Sequence, residues 1–155
     1  MKIARWIIIF WLLLPLCGPL SGQEARDSET TTALFRDTVP LLVRLEYSNR
    51  DLLRETNDST YMETVLHYKD GQAPWDSIPV RIRARGNYRK ENCFLAPIKI
   101  KIKKKKAKGT LFEGNKELKL VYPCYDSNAA RDYVLKEYLA YRFYAQMTPF
   151  HFKTR

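Results

Sequence analysis

From Ile98 to Lys103 the chain alternates strictly, with Ile98, Ile100 and Ile102 on one side and Lys99, Lys101 and Lys103 on the other. A period of two places successive side chains on opposite faces of a strand, so this segment predicts one apolar and one cationic face. Ser77 to Arg85 repeats the pattern, with Ile78, Val80, Ile82 and Ala84 set against Arg81, Arg83 and Arg85. Three weaker segments complete a predicted set of about five strands. Val39 to Tyr47 alternates Leu41, Val43 and Leu45 with Leu42, Arg44 and Glu46; Tyr61 to Tyr68 lies between the turn formers Asn57–Ser59 and the Asp70–Gly71 break; Leu118 to Tyr122 is stopped by Pro123. Asn49 to Leu53 reads as a turn opening a short segment, and Gly86 with Asn87 as an interruption after the arginine strand. Asp126 and Asn128 are placed to cap a helix running from about Ala129 to Gln146. Val134, Tyr138, Tyr141 and Ala145 share a stripe on it, and its aromatic content predicts a helix covered on most of its surface. After Pro149, Phe150 to Arg155 reads as the start of a further strand, and a chain stopping inside such a pattern suggests truncation. The expected fold is α+β, an antiparallel sheet of about five strands with one long C-terminal helix packed on it.

The first residues change the compartment. Lys2 and Arg5 precede an uncharged apolar run, Trp6 to Leu16, ended by Pro15, Gly18 and Pro19. That is a secretory signal pattern, and the run is shorter than the roughly 20 apolar residues a membrane span requires. Cleavage is expected before Gln23, with lipidation at Cys17 as the alternative. The chain then divides into a signal at 1–22, a polar flexible leader at 23–38, and a basic α+β domain at 39–155, with no transmembrane span once the signal is removed. Loss of Lys2 and Arg5 takes the net charge from +10 to +8. Such an excess favours anionic partners, and export makes them phosphates, envelope glycans or lipid headgroups in a periplasmic, cell-surface or extracellular setting rather than nucleic acid. Cys93 and Cys124 remain, an even pair in an exported chain, read first as a disulfide with two buried thiols as the alternative. They lack zinc spacing, and His67 and His151 stand apart from them, so no metal site is expected.

Arg81 to Cys93, RIRARGNYRKENC, collects the candidates for anion binding. The simpler account is a tight turn beside an arginine-lined strand face; the functional one is a phosphate site in which Arg85, Asn87 and Arg89 present donors, the arginines as planar forks. The lysine run from Lys99 to Lys108 is simplest as a strand with a solvated face, since no aromatic residue is interleaved to stack bases.

The order of these pieces resembles the spore-coat CotH-type family of kinase-like proteins, in an exported Bacteroidetes-like branch. The matching segments are RGNYRKENC (85–93), APIKIKIKK (96–104), LFEGNKELKLVYPC (111–124) and YDSNAARDYVLKEYLAYRFY (125–144). The resemblance implies an atypical protein-kinase fold with the present residues on its N-lobe side, ATP and magnesium as cofactors of the intact parent, and a protein substrate. It implies that Lys99 or Lys101 pairs with nucleotide phosphates, that Glu137 orients that lysine, and that Arg85 assists. The carboxylates for metal and base come from the later half in this family, so the fragment is expected to be inactive by itself. The alternative function is a non-enzymatic envelope or extracellular module whose basic strand faces bind anionic glycan or phosphate groups.

Overall fold

Alternation in sequence becomes a two-faced sheet in space. The computed structural model describes residues 31–155; the expected signal, its cleavage point, Cys17 and most of the leader lie outside the described residues. Strands β1 (Leu42–Leu45), β2 (Met62–Lys69), β3 (Asp76–Ala84), β4 (Ile98–Lys101) and β5 (Glu117–Leu120) form one antiparallel sheet in the order β1-β2-β3-β4-β5. Each strand therefore pairs with its neighbour in the chain, the arrangement that short connections produce.

Register decides what each face carries. Leu66 lies opposite Ile78, Ile82 opposite Ile100, and Ile98 opposite Leu120. Directly opposed residues point to the same side, so these side chains make one continuous apolar face, and Ile78, Ile82, Ile98 and Ile100 are all buried. Each such burial contributes roughly 1.5–3 kcal/mol. The face is closed by Leu34, Leu52, Ala107 and Phe112, with Phe112 edge-on to Tyr68 at 4.9 Å between ring centres.

Among the described residues five segments are helical: α1 (Ala33–Arg36), α2 (Asn49–Glu55), α3 (Asn87–Asn92), α4 (Lys104–Ala107) and α5 (Asn128–Met147). Several depart from the sequence reading. The segment at Asn49 is a full short helix, capped by the Ser48 side chain, which accepts from the Asp51 amide, and anchored by the buried Leu52. Asn87–Asn92 is helical where a bare turn was expected, and it follows Gly86, whose φ of +79° favours glycine. Ala33–Arg36 folds onto the body through buried Leu34, so ordered structure begins before residue 39.

The cap of α5 is Ser127, whose hydroxyl accepts from the Ala130 amide, rather than Asp126 or Asn128; Asp126 instead pairs with Arg131 at 2.6 Å. Nor is α5 covered. Ala130 is its one buried residue, while Tyr133, Phe143 and Met147 are 69%, 70% and 80% exposed. The expected packing of the long helix on the sheet is thus replaced by an aromatic rod that offers most of its surface outward. Phe150–Arg155 is not a strand but irregular chain. It is held by Arg155, whose side chain is 3% exposed and whose guanidinium donates to the carbonyls of Val39 and Leu34 and to Asp70. An anchored arginine replaces ladder hydrogen bonds there.

Candidate functional site

The second face of the sheet gathers charge for the same reason that the first gathers isoleucine. In β3 and β4, Arg81 lies opposite Lys101 and Arg83 opposite Lys99; one strand further, Lys99 lies opposite Lys119. Like charges placed directly across a ladder destabilise it. Carboxylates and a tyrosine offset part of that repulsion. Lys99 reaches Glu117 at 2.8 Å, Lys103 approaches Glu63 at 3.8 Å, and Arg83 donates to Asp58 at 2.6 Å.

Tyr61 is the hub of this face. Arg83 Nε donates to its hydroxyl at 3.1 Å, Lys101 Nζ stands 4.4 Å from the ring centre, and the guanidinium carbons of Arg81 and Arg83 lie 5.8 and 5.6 Å from it. A ring face attracts cations through its quadrupole, so one tyrosine gathers three positive side chains. Burial acts to raise the phenol's pKa, but hydrogen bonds from Arg83 and Lys101, together with their charge, outweigh it and hold the group below its ordinary 10. Glu117 is held below the usual carboxylate range first by its hydrogen bond from Lys99; burial opposes this, and the charges of Lys99, Lys101 and Arg83 add to it.

Arg81 differs from its neighbours. It is half-buried, its Nε is buried without a hydrogen-bond partner, and among the described residues it makes no ion pair. It lines a cleft of about 430 Å3 together with Lys101, Lys103, Lys106, Glu63, Val65 and Pro79.

The residues singled out from sequence are distributed over two regions. Lys99 and Lys101 share the cationic face as alternation requires, one committed to Glu117 and the other to Tyr61. Glu137 of α5 meets neither lysine; its partner is Arg89 of α3, at 3.7 Å and with both side chains about 40% exposed. Asn87 is exposed at the start of α3, and Arg85 follows β3, where its amide donates to the Pro97 carbonyl. Of the three, Arg89 alone is seen to meet α5, with Arg85 and Asn87 just before it in the chain, while the densest cationic cluster lies on the sheet. Sequence reasoning placed Arg81 among the anion candidates and on the charged strand face, but missed Tyr61 and Asp58 as members of that cluster. Tyr61 stood at the polar phase of its strand, two positions before Glu63, and that was the available signal.

Cys93 and Cys124 are joined, with an S–S distance of 2.09 Å. The bond ties the end of α3 to the turn before α5, and the Phe94 amide reinforces it by donating to the Cys124 carbonyl at 2.9 Å. A second, aromatic groove of about 900 Å3 lies between α5 and the segment after it, lined by Tyr141, Tyr144, Phe150, His151 and Phe152 with Glu137 at its side.

The donor set of the sheet face suits phosphate oxygens. For a divalent metal the fit is poor, because the described residues include no group of three or more His, Cys, Asp or Glu placed to hold one. No helix among them is long and apolar enough to cross a membrane. No protein-family model, curated protein or solved structure matches the chain.

Proposed function

We propose that this chain is the sheet-and-helix portion of an exported CotH-like protein of atypical kinase fold, contributing nucleotide-phosphate contacts rather than the metal-dependent transfer itself. The observation that supports this reading is the joining of the RGN segment to the long helix. Arg89 meets Glu137, and the Cys93–Cys124 bond fixes α3 beside the entry to α5. The assignment gives the phosphate contact to Lys101 and the orienting role to Glu137; the two lie in separate regions of the structure, Lys101 on the sheet face and Glu137 against Arg89, so it requires α5 to shift towards the sheet when nucleotide arrives. The Arg89–Glu137 pair is long and half-exposed, the kind of ion pair that contributes about 0–1 kcal/mol, so exchanging it for a lysine costs little. Calorimetric titration with ATP and magnesium tests the assignment. Binding that falls at least tenfold in both Lys101→Ala and Glu137→Ala is expected, and equal affinity in the variants contradicts it.

A second reading is favoured by a different observation, the run of like-charged cross-strand pairs on the sheet. A face that accepts this repulsion is suited to a resident polyanion, which makes the domain an envelope or extracellular module for glycan or phosphate groups. Salt-sensitive retention on a sulfated polysaccharide without preference for nucleotide supports the module; nucleotide preference supports the kinase-like protein.

A further inference from the structure

We infer that the cleft at Arg81 is a binding site for a phosphomonoester dianion, a proposal that rests on the module reading above and locates its ligand. The cleft brings Arg81, Lys101, Lys103 and Lys106 together against the single carboxylate Glu63, leaving a local excess of three positive charges. Arg81 is the decisive member. Partly buried arginines normally spend their donors on carboxylates or carbonyls, yet the Arg81 side chain makes no hydrogen bond or ion pair among the described residues, and its Nε is sealed from solvent without an acceptor. Tyr61 holds the guanidinium by its ring face, which consumes none of the N–H donors. The Nη side of the planar fork is thereby left available for oxygens arriving from the cleft.

Size and wall chemistry narrow the ligand. About 430 Å3 exceeds what a bare oxyanion occupies and falls in the range of small-molecule sites. Val65 and Pro79, opposite each other across β2 and β3, give the cleft an apolar wall, with Val65 40% exposed. A phosphate at the cationic end with a carbon body along Val65 and Pro79 satisfies both walls. A dianion also matches the charge excess better than a single carboxylate does.

The test is titration of the chain with glucose 6-phosphate at fixed ionic strength, without magnesium, followed by proton–nitrogen correlation spectra. Saturable movement of the Arg81 Nε–Hε signal and of the Lys101 and Lys106 amides is expected. Arg81→Met should weaken binding at least tenfold, Glu63→Gln should tighten it severalfold, and Lys119→Ala, on the same face outside the cleft, should change it less than twofold. Glu63 is exposed, so its variant folds and the test survives any loss of the Arg81 variant. A parallel arm uses neutral vesicles doped with phosphatidic acid. Binding of the sugar phosphate assigns a soluble ester, binding of the vesicles alone assigns a lipid headgroup, and binding of neither overturns the site. If the chain is retained on sulfated polysaccharide but phosphomonoester affinity ignores both Arg81→Met and Glu63→Gln, the cleft assignment falls while the module reading stands. If it is not retained either, both fall.

Discussion

Tyr68 shows how much one side chain on the apolar face carries. Its ring packs edge-on against Phe112, and its hydroxyl donates to Asp76 Oδ2 at 2.6 Å. Burial first, and then the bond to Asp76, push its phenol up to about 12. The folded chain thus holds this proton more tightly than the unfolded one, where tyrosine titrates near 10. The associated stability is complete below pH 10 and is lost as pH rises towards 12. Burial raises Tyr122 likewise, with help from Tyr47, so the two tyrosines act in the same direction. Tyr68→Phe keeps the ring and loses the hydroxyl. It should cost about 1 kcal/mol at neutral pH and flatten the fall in urea midpoint between pH 10 and 12, whereas an unchanged alkaline limb would show that Tyr68 does not cause it. The tyrosine was visible in sequence as an apolar-phase residue, but its partner was not, because Asp76 reaches it only through the β2–β3 register.

At the scale of elements, legibility followed periodicity. β3 and β4 were readable almost residue for residue, since each alternation was long enough to specify a face, and the isoleucines are buried as expected. Short helices were not readable by that route, because two turns carry too few apolar positions to show a 3.6-residue period. For α2 a local signal existed: Ser48 with Asp51 three positions on is the spacing of an N-cap and its first-turn acid. The long helix misled for the opposite reason. Aromatic residues all round it suggested cover, but periodicity says nothing about whether cover is present, and α5 stands largely exposed. The contrast predicts different mutational costs. Ile98→Ala removes a fully buried side chain and should destabilise by about 2–5 kcal/mol. Phe143→Ser should shift the denaturation midpoint by no more than about 0.5 kcal/mol, and a large loss would mean that α5 is packed after all.

Across the whole molecule, the disulfide and the two-faced sheet divide the labour. The apolar face supplies the core, the Cys93–Cys124 bond ties α3 to the approach of α5, and the Arg89–Glu137 contact links the same two helices. The cysteine pairing was legible from their number and expected compartment. The position of Glu137 was not, because a helix register fixes a side chain's direction but not which neighbouring element it meets. Closing a sequence separation of 31 stabilises by about 3.7 kcal/mol in the chain-entropy view. Cys93→Ser with Cys124→Ser should lower unfolding free energy by about that amount in guanidinium titrations, and a double variant as stable as the parent would remove the bond from the stability account.

The cationic face is the opposite case: on the anion-binding proposal it is an arrangement that costs stability until an anion neutralises it. Its most direct measurement is the thermal midpoint of the parent and of Arg81→Met in phosphate and in chloride at matched ionic strength. Phosphate strengthens burial in any protein, so the informative quantity is the difference between the two chains. A larger phosphate-specific rise in the parent, together with an Arg81→Met midpoint in chloride at or above the parent's, is the predicted result. Equal rises in both chains, with Arg81→Met less stable in chloride, would contradict it.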